Sequence, residues 1–127
     1  MQVNNIDHLV LIVRDIAATV QFYTSIMGMK KVEFGDNRVA LRFGQQKINL
    51  HQIGSEFEPK ARTACPGSAD LCFIIDTPVP AVIKDLHQKE VEIIAGPVHR
   101  TGATGAIISA YFRDPDGNLL EVSNYVD

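Results

Sequence analysis

The chain has no tryptophan and only two cysteines among its 127 residues. Cys65 and Cys72 form neither a disulfide framework nor a zinc-type CxxC pair, and Cys72, within an apolar strand, is expected to be a small core residue. No apolar run approaches the roughly 20 residues of a membrane-spanning helix. The start, MQVNNIDHLV, lacks the basic and then apolar stretches of an export signal. We therefore expect a cytoplasmic protein.

Clustered positive charge is also missing. The net charge is −3, the isoelectric point is near 5.7, and the twelve Lys and Arg residues are scattered along the chain. This balance argues against a nucleic-acid partner and against an anionic membrane surface. The length suits one domain that is large enough to bury a core without disulfides or structural metals.

The most informative stretch is YFRDPDGNLLEV, residues 111–122. Its centre, residues 114–118, combines Pro, Gly, Asp and Asn, the residues that form tight turns. Two strands, residues 106–113 and 119–125, must therefore meet here as a hairpin. Glu121 is a single carboxylate in the middle of the second, mostly apolar strand. Taken alone, such a carboxylate most often lies on a solvated sheet face.

The first half of the chain predicts the order βαβββ. Residues 7–13 (DHLVLIV) form a mostly apolar strand, and Asp15 is a good N-cap for the amphipathic helix that follows. Three short strands, separated by Gly-containing turns, follow at residues 30–34, 38–43 and 47–53.

The second half predicts the same order again. A stretch rich in Gly, Pro and Ser, residues 54–69, connects the halves or covers a site. A strand, a helix after two prolines, and three more strands follow; their predicted positions are residues 70–75, 79–86, 91–94, 106–113 and 119–125. We therefore predict one α+β domain, residues 1–127. It consists of two βαβββ modules, about 4–53 and 70–127, whose curved mixed sheet surrounds a cavity.

The repeat aligns the polar residues that interrupt the apolar strands. A shift of 62 residues places Asp70 over His8, and a shift of 70 places Glu121 over His51. The difference between the two shifts is assigned to an insertion in the Gly-rich segment 99–105. Four side chains that are able to bind metal thus occupy equivalent positions.

Convergence of these four side chains would create a metal site. Imidazole nitrogen and carboxylate oxygen atoms, at about 2.0–2.2 Å, suit divalent Zn, Fe, Mn, Co or Ni. Such an ion would also relieve the repulsion between two close carboxylates and leave positions open for substrate oxygens. The alternative is a hydrogen-bonded structural role for the histidines and a solvated one for the carboxylates; Asp70 in particular has a short side chain.

Other polar residues are less specific. His87 and His99 are expected to be solvated. The hydroxyl of Tyr111 either enters the cavity or the ring packs as an aromatic side chain. Arg42 and Arg113 either bind an anionic substrate group or are simple surface charges.

The segments DHLVLIV, FYTSIMGM and YFRDPDGNLLEV together resemble signatures of the vicinal oxygen chelate (glyoxalase/bleomycin resistance/extradiol dioxygenase) superfamily. More narrowly, the chain resembles its lactoylglutathione lyase-like group, in particular glyoxalase domain-containing protein 5. The resemblance implies paired βαβββ modules around one divalent metal ion per site, with His8, His51, Asp70 and Glu121 as ligands. It also implies a homodimer whose modules complete two sites.

Two positions depart from the family pattern. Asp70 stands where a histidine is usual, and His51 stands where glyoxalase I has a carboxylate, so the ligand set is permuted or reduced to three. The histidine expected before Tyr111 in extradiol dioxygenases is absent, since glycines occupy residues 102 and 105. No residues match glutathione-binding positions.

The resemblance and the four polar residues together favour a metal-dependent glyoxalase I-like lyase. It would act on hemithioacetals of 2-oxoaldehydes such as methylglyoxal, with glutathione as a possible cosubstrate. Glu121 would be the general base that moves a proton between neighbouring carbons. The alternatives are an Fe(II) extradiol-type dioxygenase and a metal-free protein that binds a toxin or an antibiotic.

Overall fold

The computed structural model describes residues 1–126 and forms two compact units, Met1–Gly67 (unit 1) and Ser68–Asp127 (unit 2). Within the described residues each unit has one helix and four strands in the order βαβββ, which confirms the predicted repeat. Unit 1 contains β1 (His8–Val13), α1 (Ile16–Ser25), β2 (Lys30–Phe34), β3 (Arg38–Phe43) and β4 (Gln46–Gln52). Unit 2 contains β5 (Asp70–Ile74), α2 (Val79–Gln88), β6 (Ala95–Thr101), β7 (Ala106–Arg113) and β8 (Leu119–Tyr125).

The two sheets have the same topology. Unit 1 has the strand order β1-β4-β3-β2, and unit 2 has the order β5-β8-β7-β6. In each sheet the first strand of the unit pairs in parallel with the last, and the remaining pairs are antiparallel. The last strand of each unit therefore lies inside its sheet, between two neighbours, where both of its edges are hydrogen-bonded.

The helices begin where the sequence predicts. The Asp15 side chain accepts a hydrogen bond from the backbone N–H of Ala18, which caps α1, and Tyr23 is fully buried within unit 1. Helix α2 begins after Pro78 without a side-chain cap, and it buries Val79 and Leu86. No helix within residues 1–126 has the length and apolar character needed to cross a membrane.

The prediction of a strand at residues 91–94 is wrong, because β6 begins only at Ala95. The segment predicted as a Gly-rich insertion also belongs partly to this strand, which continues to Thr101. Strand β6 lies at the edge of its sheet, so Pro97, which has no N–H, removes no bond to a further strand. The pairing with β7 shifts register between Ala95 and Val98. A proline and a bulge thus concealed this strand in the sequence pattern.

The predicted turn at residues 114–118 is confirmed. Asp114 Oδ1 accepts hydrogen bonds from the backbone N–H groups of Asp116 and Asn118, and Asp114 Oδ2 accepts one from Asn118 Nδ2. Asn118 Oδ1 in turn accepts the N–H of Ala69, just before β5. This turn therefore holds β8, which carries Glu121, against the start of β5.

Candidate active site

Glu121 lies in the middle of the unit 2 sheet, in one cross-strand row with Cys72 and Tyr111. The register pairs it with Cys72 on β5 and with Tyr111 on β7. Asp70 lies two residues before Cys72 and therefore projects from the same face, about 8 Å from Glu121 at Cα. The structure thus places two of the predicted site residues, Asp70 and Glu121, on one face of this unit.

Two serines orient the Glu121 carboxylate. The Ser109 hydroxyl donates a hydrogen bond of 2.6 Å to Oε2, and the Ser123 hydroxyl lies 3.4 Å from the same oxygen. The two hydroxyls are 2.7 Å apart, and both serines are fully buried. Since a hydrogen bond to a charged oxygen is strong, Ser109 fixes one carboxylate oxygen. Both of these hydrogen bonds go to Oε2.

The Glu121 carboxylate faces a pocket of about 440 Å³ within unit 2. The Arg100 guanidinium, 5.5 Å from the Tyr111 ring centroid, donates from Nε to the Tyr111 hydroxyl over 3.2 Å. The Tyr111 hydroxyl therefore belongs to the pocket. This agrees with the interpretation that the hydroxyl enters a cavity, rather than with simple aromatic packing. The lining residues are Cys72, Ile74, Arg100, Thr101, Gly102, Ala103, Ile107, Tyr111, Glu121 and Tyr125.

Cys72 is not the core residue that the sequence predicted. It is exposed, lines the pocket, and its Sγ lies 3.4 Å from Ser123 Oγ. Partial burial, and secondarily the nearby Glu121 charge, raise the pKa of the Cys72 thiol. Burial likewise raises the pKa of Tyr111, and Glu121 adds to this effect. Both groups are therefore protonated at neutral pH, so Cys72 is a poor nucleophile and Tyr111 retains a proton to donate.

In unit 1 the position equivalent to Glu121 is Asn49. Glu121 pairs with Cys72, the third residue of β5. The third residue of β1 is Val10, and Val10 pairs with Asn49. The repeat shift between the last strands is therefore 72 rather than 70, and the predicted equivalence of His51 with Glu121 is wrong. His51 instead corresponds to Ser123.

The two histidines of unit 1 lie far apart along the sheet. His8 pairs with Lys47 at the start of β1, whereas His51 pairs with Ile12, four residues and roughly 13 Å further along the strands. His8 is exposed, and its Nδ1 lies 2.7 Å from Asp7 Oδ2. The register does not bring these histidines together, although both project from the same face.

Asn49 was not predicted from the sequence. It lies diagonally from His8 on the same face, about 8 Å away at Cα. Its Oδ1 atom is buried and has no hydrogen-bond partner in the described part of the chain. An isolated polar residue in the apolar strand KINLHQ was the available signal, but an amide attracts less attention than imidazole or carboxylate.

His51 is only 4% exposed, and neither ring nitrogen has a hydrogen-bond partner among residues 1–126. Its ring packs edge-on against Phe57, with centroids 5.3 Å apart. Burial, and then the positive charge of Arg38, lower the pKa of His51, while Glu56 opposes this shift. The ring is therefore neutral at pH 7 and has one N–H to donate.

Each unit thus provides one diagonal pair of potential metal donors. The pairs are His8 with Asn49 and Asp70 with Glu121, and such nitrogen and oxygen atoms suit divalent metals of the Zn, Fe, Mn, Co or Ni type. Among the described residues no group of three or more His, Cys, Asp and Glu side chains is close enough to hold a metal ion. The two donors of one unit are fewer than the four protein ligands predicted from the sequence. The donor types fit such an ion, but no preassembled group of three holds it.

Known proteins identify the family. The sequence profile of the Glyoxalase/Bleomycin resistance protein/Dioxygenase superfamily matches residues 5–122. The chain belongs to this glyoxalase superfamily. The predicted membership and the α+β fold class of two βαβββ modules are therefore confirmed.

Several members of the glyoxalase superfamily are similar over the whole chain. The virulence protein STM3117 of Salmonella typhimurium is 57% identical over 126 residues, covering 99% of this chain and 88% of that protein. Its crystal structure matches with a TM-score of 0.98. The glyoxalase domain-containing protein RDO1 of Mycosarcoma maydis is 51% identical over 127 residues, covering 100% of this chain and 72% of that protein.

A lactoylglutathione lyase from Agrobacterium tumefaciens shares the fold, with a TM-score of 0.74 and 23% identity over 97% of this chain and 95% of that one. Proteins of the glyoxalase superfamily bind small molecules and often use a divalent metal ion. The narrower resemblance to glyoxalase domain-containing protein 5 stays a prediction.

Proposed function

We propose that this chain is a metal-dependent lyase of the glyoxalase I type. Its substrates would be hemithioacetals formed from a thiol and a 2-oxoaldehyde such as methylglyoxal, and its role would be detoxification. The observation that supports this proposal is Glu121, a carboxylate oriented by a buried serine in the wall of a pocket. Glutathione is the proposed thiol.

The proposed reaction moves one proton between neighbouring carbons. Glu121 removes the proton from the carbon that carries the sulfur, and the same carboxylic acid returns it to the adjacent carbon, so a hydroxythioester forms without an oxidant. Ser109 holds Oε2, which leaves Oε1 as the oxygen that exchanges the proton. The Tyr111 hydroxyl accepts from Arg100, and burial together with Glu121 raises its pKa, so it stays protonated beside the base.

We further propose one divalent ion per site, of the Zn, Ni, Co, Mn or Fe type. His8, Asp70 and Glu121 would hold it, and the fourth donor would be Asn49 or His51. When bound, such an ion stabilises the negative charge that develops on the substrate oxygens. The register favours Asn49, because it lies diagonally from His8. Metal analysis of N49A and H51A separates the two: the variant that loses more metal carries the fourth donor.

The test is the isomerisation of the methylglyoxal–glutathione hemithioacetal, measured by thioester absorbance with each metal in turn. E121Q should lower kcat by about 10²–10⁴-fold, because it removes the base while keeping the shape of the side chain. E92Q, at an exposed position, is the matched control. Undiminished activity of E121Q would remove Glu121 from this role, and an inactive wild-type protein with every metal would refute the lyase proposal.

A second function, sequestration of a small molecule without chemistry, is supported by the character of the pocket wall. Ile74, Ile107, Tyr111 and Tyr125 provide apolar and aromatic surface beside one carboxylate. Tight binding that survives a chelator and the H8A substitution would favour this function. The dioxygenase alternative stays a prediction, and oxygen uptake with catechols that depends on ferrous iron would favour it.

A cytoplasmic homodimer also belongs to the proposal. Light scattering after size-exclusion chromatography should give about twice the 14.0 kDa of one chain. A monomeric mass at micromolar concentration would contradict the dimer.

A further inference from the structure

Several buried polar atoms without partners lie on one face of the unit 1 sheet. They are Arg38 Nε, Asn49 Oδ1 and both ring nitrogens of His51, none of which has a hydrogen-bond partner among residues 1–126. Buried polar atoms in proteins are almost always hydrogen-bonded. The side chains among them that can donate, Arg38 and His51, therefore indicate a group that accepts hydrogen bonds there.

The sheet register brings Arg38 and His51 together. The pairing of Val39 with Leu50 places the preceding Arg38 opposite His51 on the neighbouring strand. The Arg38 guanidinium carbon lies 5.0 Å from the ring centroid of Phe34 and 4.6 Å from that of Phe57. Since the aromatic rings pack against the guanidinium, its nitrogen edge is the part that remains for a ligand.

A second cation approaches the same ring. Lys47 Nζ lies 3.9 Å from the centroid of Phe34, so two positive charges are each within 5.0 Å of one ring centre. In the described part of the chain neither Arg38 nor Lys47 has a carboxylate within 4.0 Å. Positive charge from two side chains that have no paired carboxylate favours an anion near this ring.

The acid that acts electrostatically on His51 is already engaged. Glu56, whose charge is felt by His51, accepts hydrogen bonds from the Gly54 backbone N–H at 2.7 Å and from Lys60 Nζ at 3.4 Å. Its carboxylate therefore stabilises the loop after β4. The positive charge of Arg38 and Lys47 is left without a counterion.

We propose that unit 1 contains a binding site for a small organic carboxylate. The Arg38 guanidinium edge and one ring N–H of His51 donate to it, and the Lys47 ammonium group adds positive charge beside the Phe34 ring. A planar carboxylate matches the in-plane geometry of a guanidinium edge and can accept two parallel hydrogen bonds from it. A pocket in unit 1 lies beside the Arg38 side chain; its lining residues are Glu33, Phe34, Gly35, Asn37, Arg38 and Val39, and the Glu33 carboxylate is paired with Lys31 at 3.1 Å. The site does not require the proposed lyase activity or a metal ion.

The experiment is an acetate titration of the full chain, followed by the NMR signal of the Arg38 side-chain Nε–H group. Acetate should shift this signal saturably, while acetamide, its uncharged analogue, should not. R38Q and R38K, followed through the His51 ring signals, should each weaken acetate binding at least tenfold, since both lack the guanidinium fork. R62Q removes one exposed positive charge from the same unit and should leave the dissociation constant unchanged.

Three results would overturn the proposal. Equal weakening by R62Q would show general electrostatic attraction rather than a site. Loss of acetate binding after treatment with a chelator would make a metal ion the receptor, and tighter binding of inorganic phosphate would refute the assignment to carboxylates. If R38Q fails to fold, K47M provides the same test through the Arg38 signal, and acetate affinity equal to that of the wild type would contradict the proposal.

Discussion

Ser109 has no charge, yet it determines how the Glu121 carboxylate is held. Its hydroxyl is 2.6 Å from Oε2, whereas that of Ser123 is 3.4 Å away. S109A should therefore lower kcat for the hemithioacetal about tenfold or more, because a hydrogen bond to a charged group is lost. S123A should have a smaller effect. Equal kcat values for the two variants, measured at saturating substrate, would show that Ser109 does not orient the base.

Glu56 makes stability depend on pH. The Gly54 backbone N–H, and then Lys60, lower the pKa of Glu56 from its ordinary value of 4.5. A lowered pKa stabilises the folded state above that value, and this stabilisation is lost as the pH falls through the folded-state pKa. E56Q should therefore have a lower Tm than the wild type at neutral pH, and the difference should disappear in acid. A difference that persists below the folded-state pKa of Glu56 would contradict this account; E92Q is the control.

Strand β6 depends on a close approach of backbones at Gly96. A Cβ atom at this position would lie 2.8 Å from Ala110 Cα and 2.9 Å from Ser109 O, and the φ angle of Gly96 is +132°. G96A should therefore destabilise the protein by about 2 kcal/mol or more in denaturant unfolding, since both strain and overlap are added. At Gly54, where φ is +84°, no atom lies within 4 Å of such a Cβ. G54A therefore adds only the backbone strain. If G54A and G96A lower the free energy of unfolding equally, the steric overlap at Gly96 contributes nothing.

The repeated element order has a consequence at the level of strands. Because β4 and β8 each lie between two neighbours, their polar side chains project from the middle of a sheet rather than from its edge. Asn49 and Glu121 occupy the same place in this topology, and their neighbours on the adjacent strand are Ala40 and Tyr111. The large neighbour, Tyr111, provides a pocket wall in unit 2.

At the scale of the whole molecule, the proposed metal site predicts a change in stability. An ion that binds only the folded chain raises the free energy of unfolding by about 2.7 kcal/mol at one hundred times its dissociation constant. The Tm of chelator-treated protein should therefore rise when Zn²⁺, Ni²⁺ or Mn²⁺ is added. The Tm of the double variant H8A/E121A should not rise. An equal gain in both proteins would place the ion elsewhere.

The sequence by itself determined the order of the elements, the α1 cap at Asp15, the turn at residues 114–118 and the family. These features depend on local patterns: the alternation of strands, the spacing of helices and the conformational preferences of Pro and Gly. The place of Glu121 in the middle of an apolar strand was also predictable, because that strand follows directly after this turn. The late start of β6 was not predictable, since a proline and a register shift interrupt the alternation of apolar and polar residues in this strand.

Only the tertiary structure decided which polar residue of β4 corresponds to Glu121. Asn49 and His51 are two residues apart and project from the same face, so a pattern of period two cannot distinguish them. The pairing of Asn49 with Val10, 39 positions earlier, makes the distinction. The same holds for Arg38, whose place beside His51 and between two phenylalanines follows from contacts across strands and with the loop after β4. Such contacts leave no local signature in the chain.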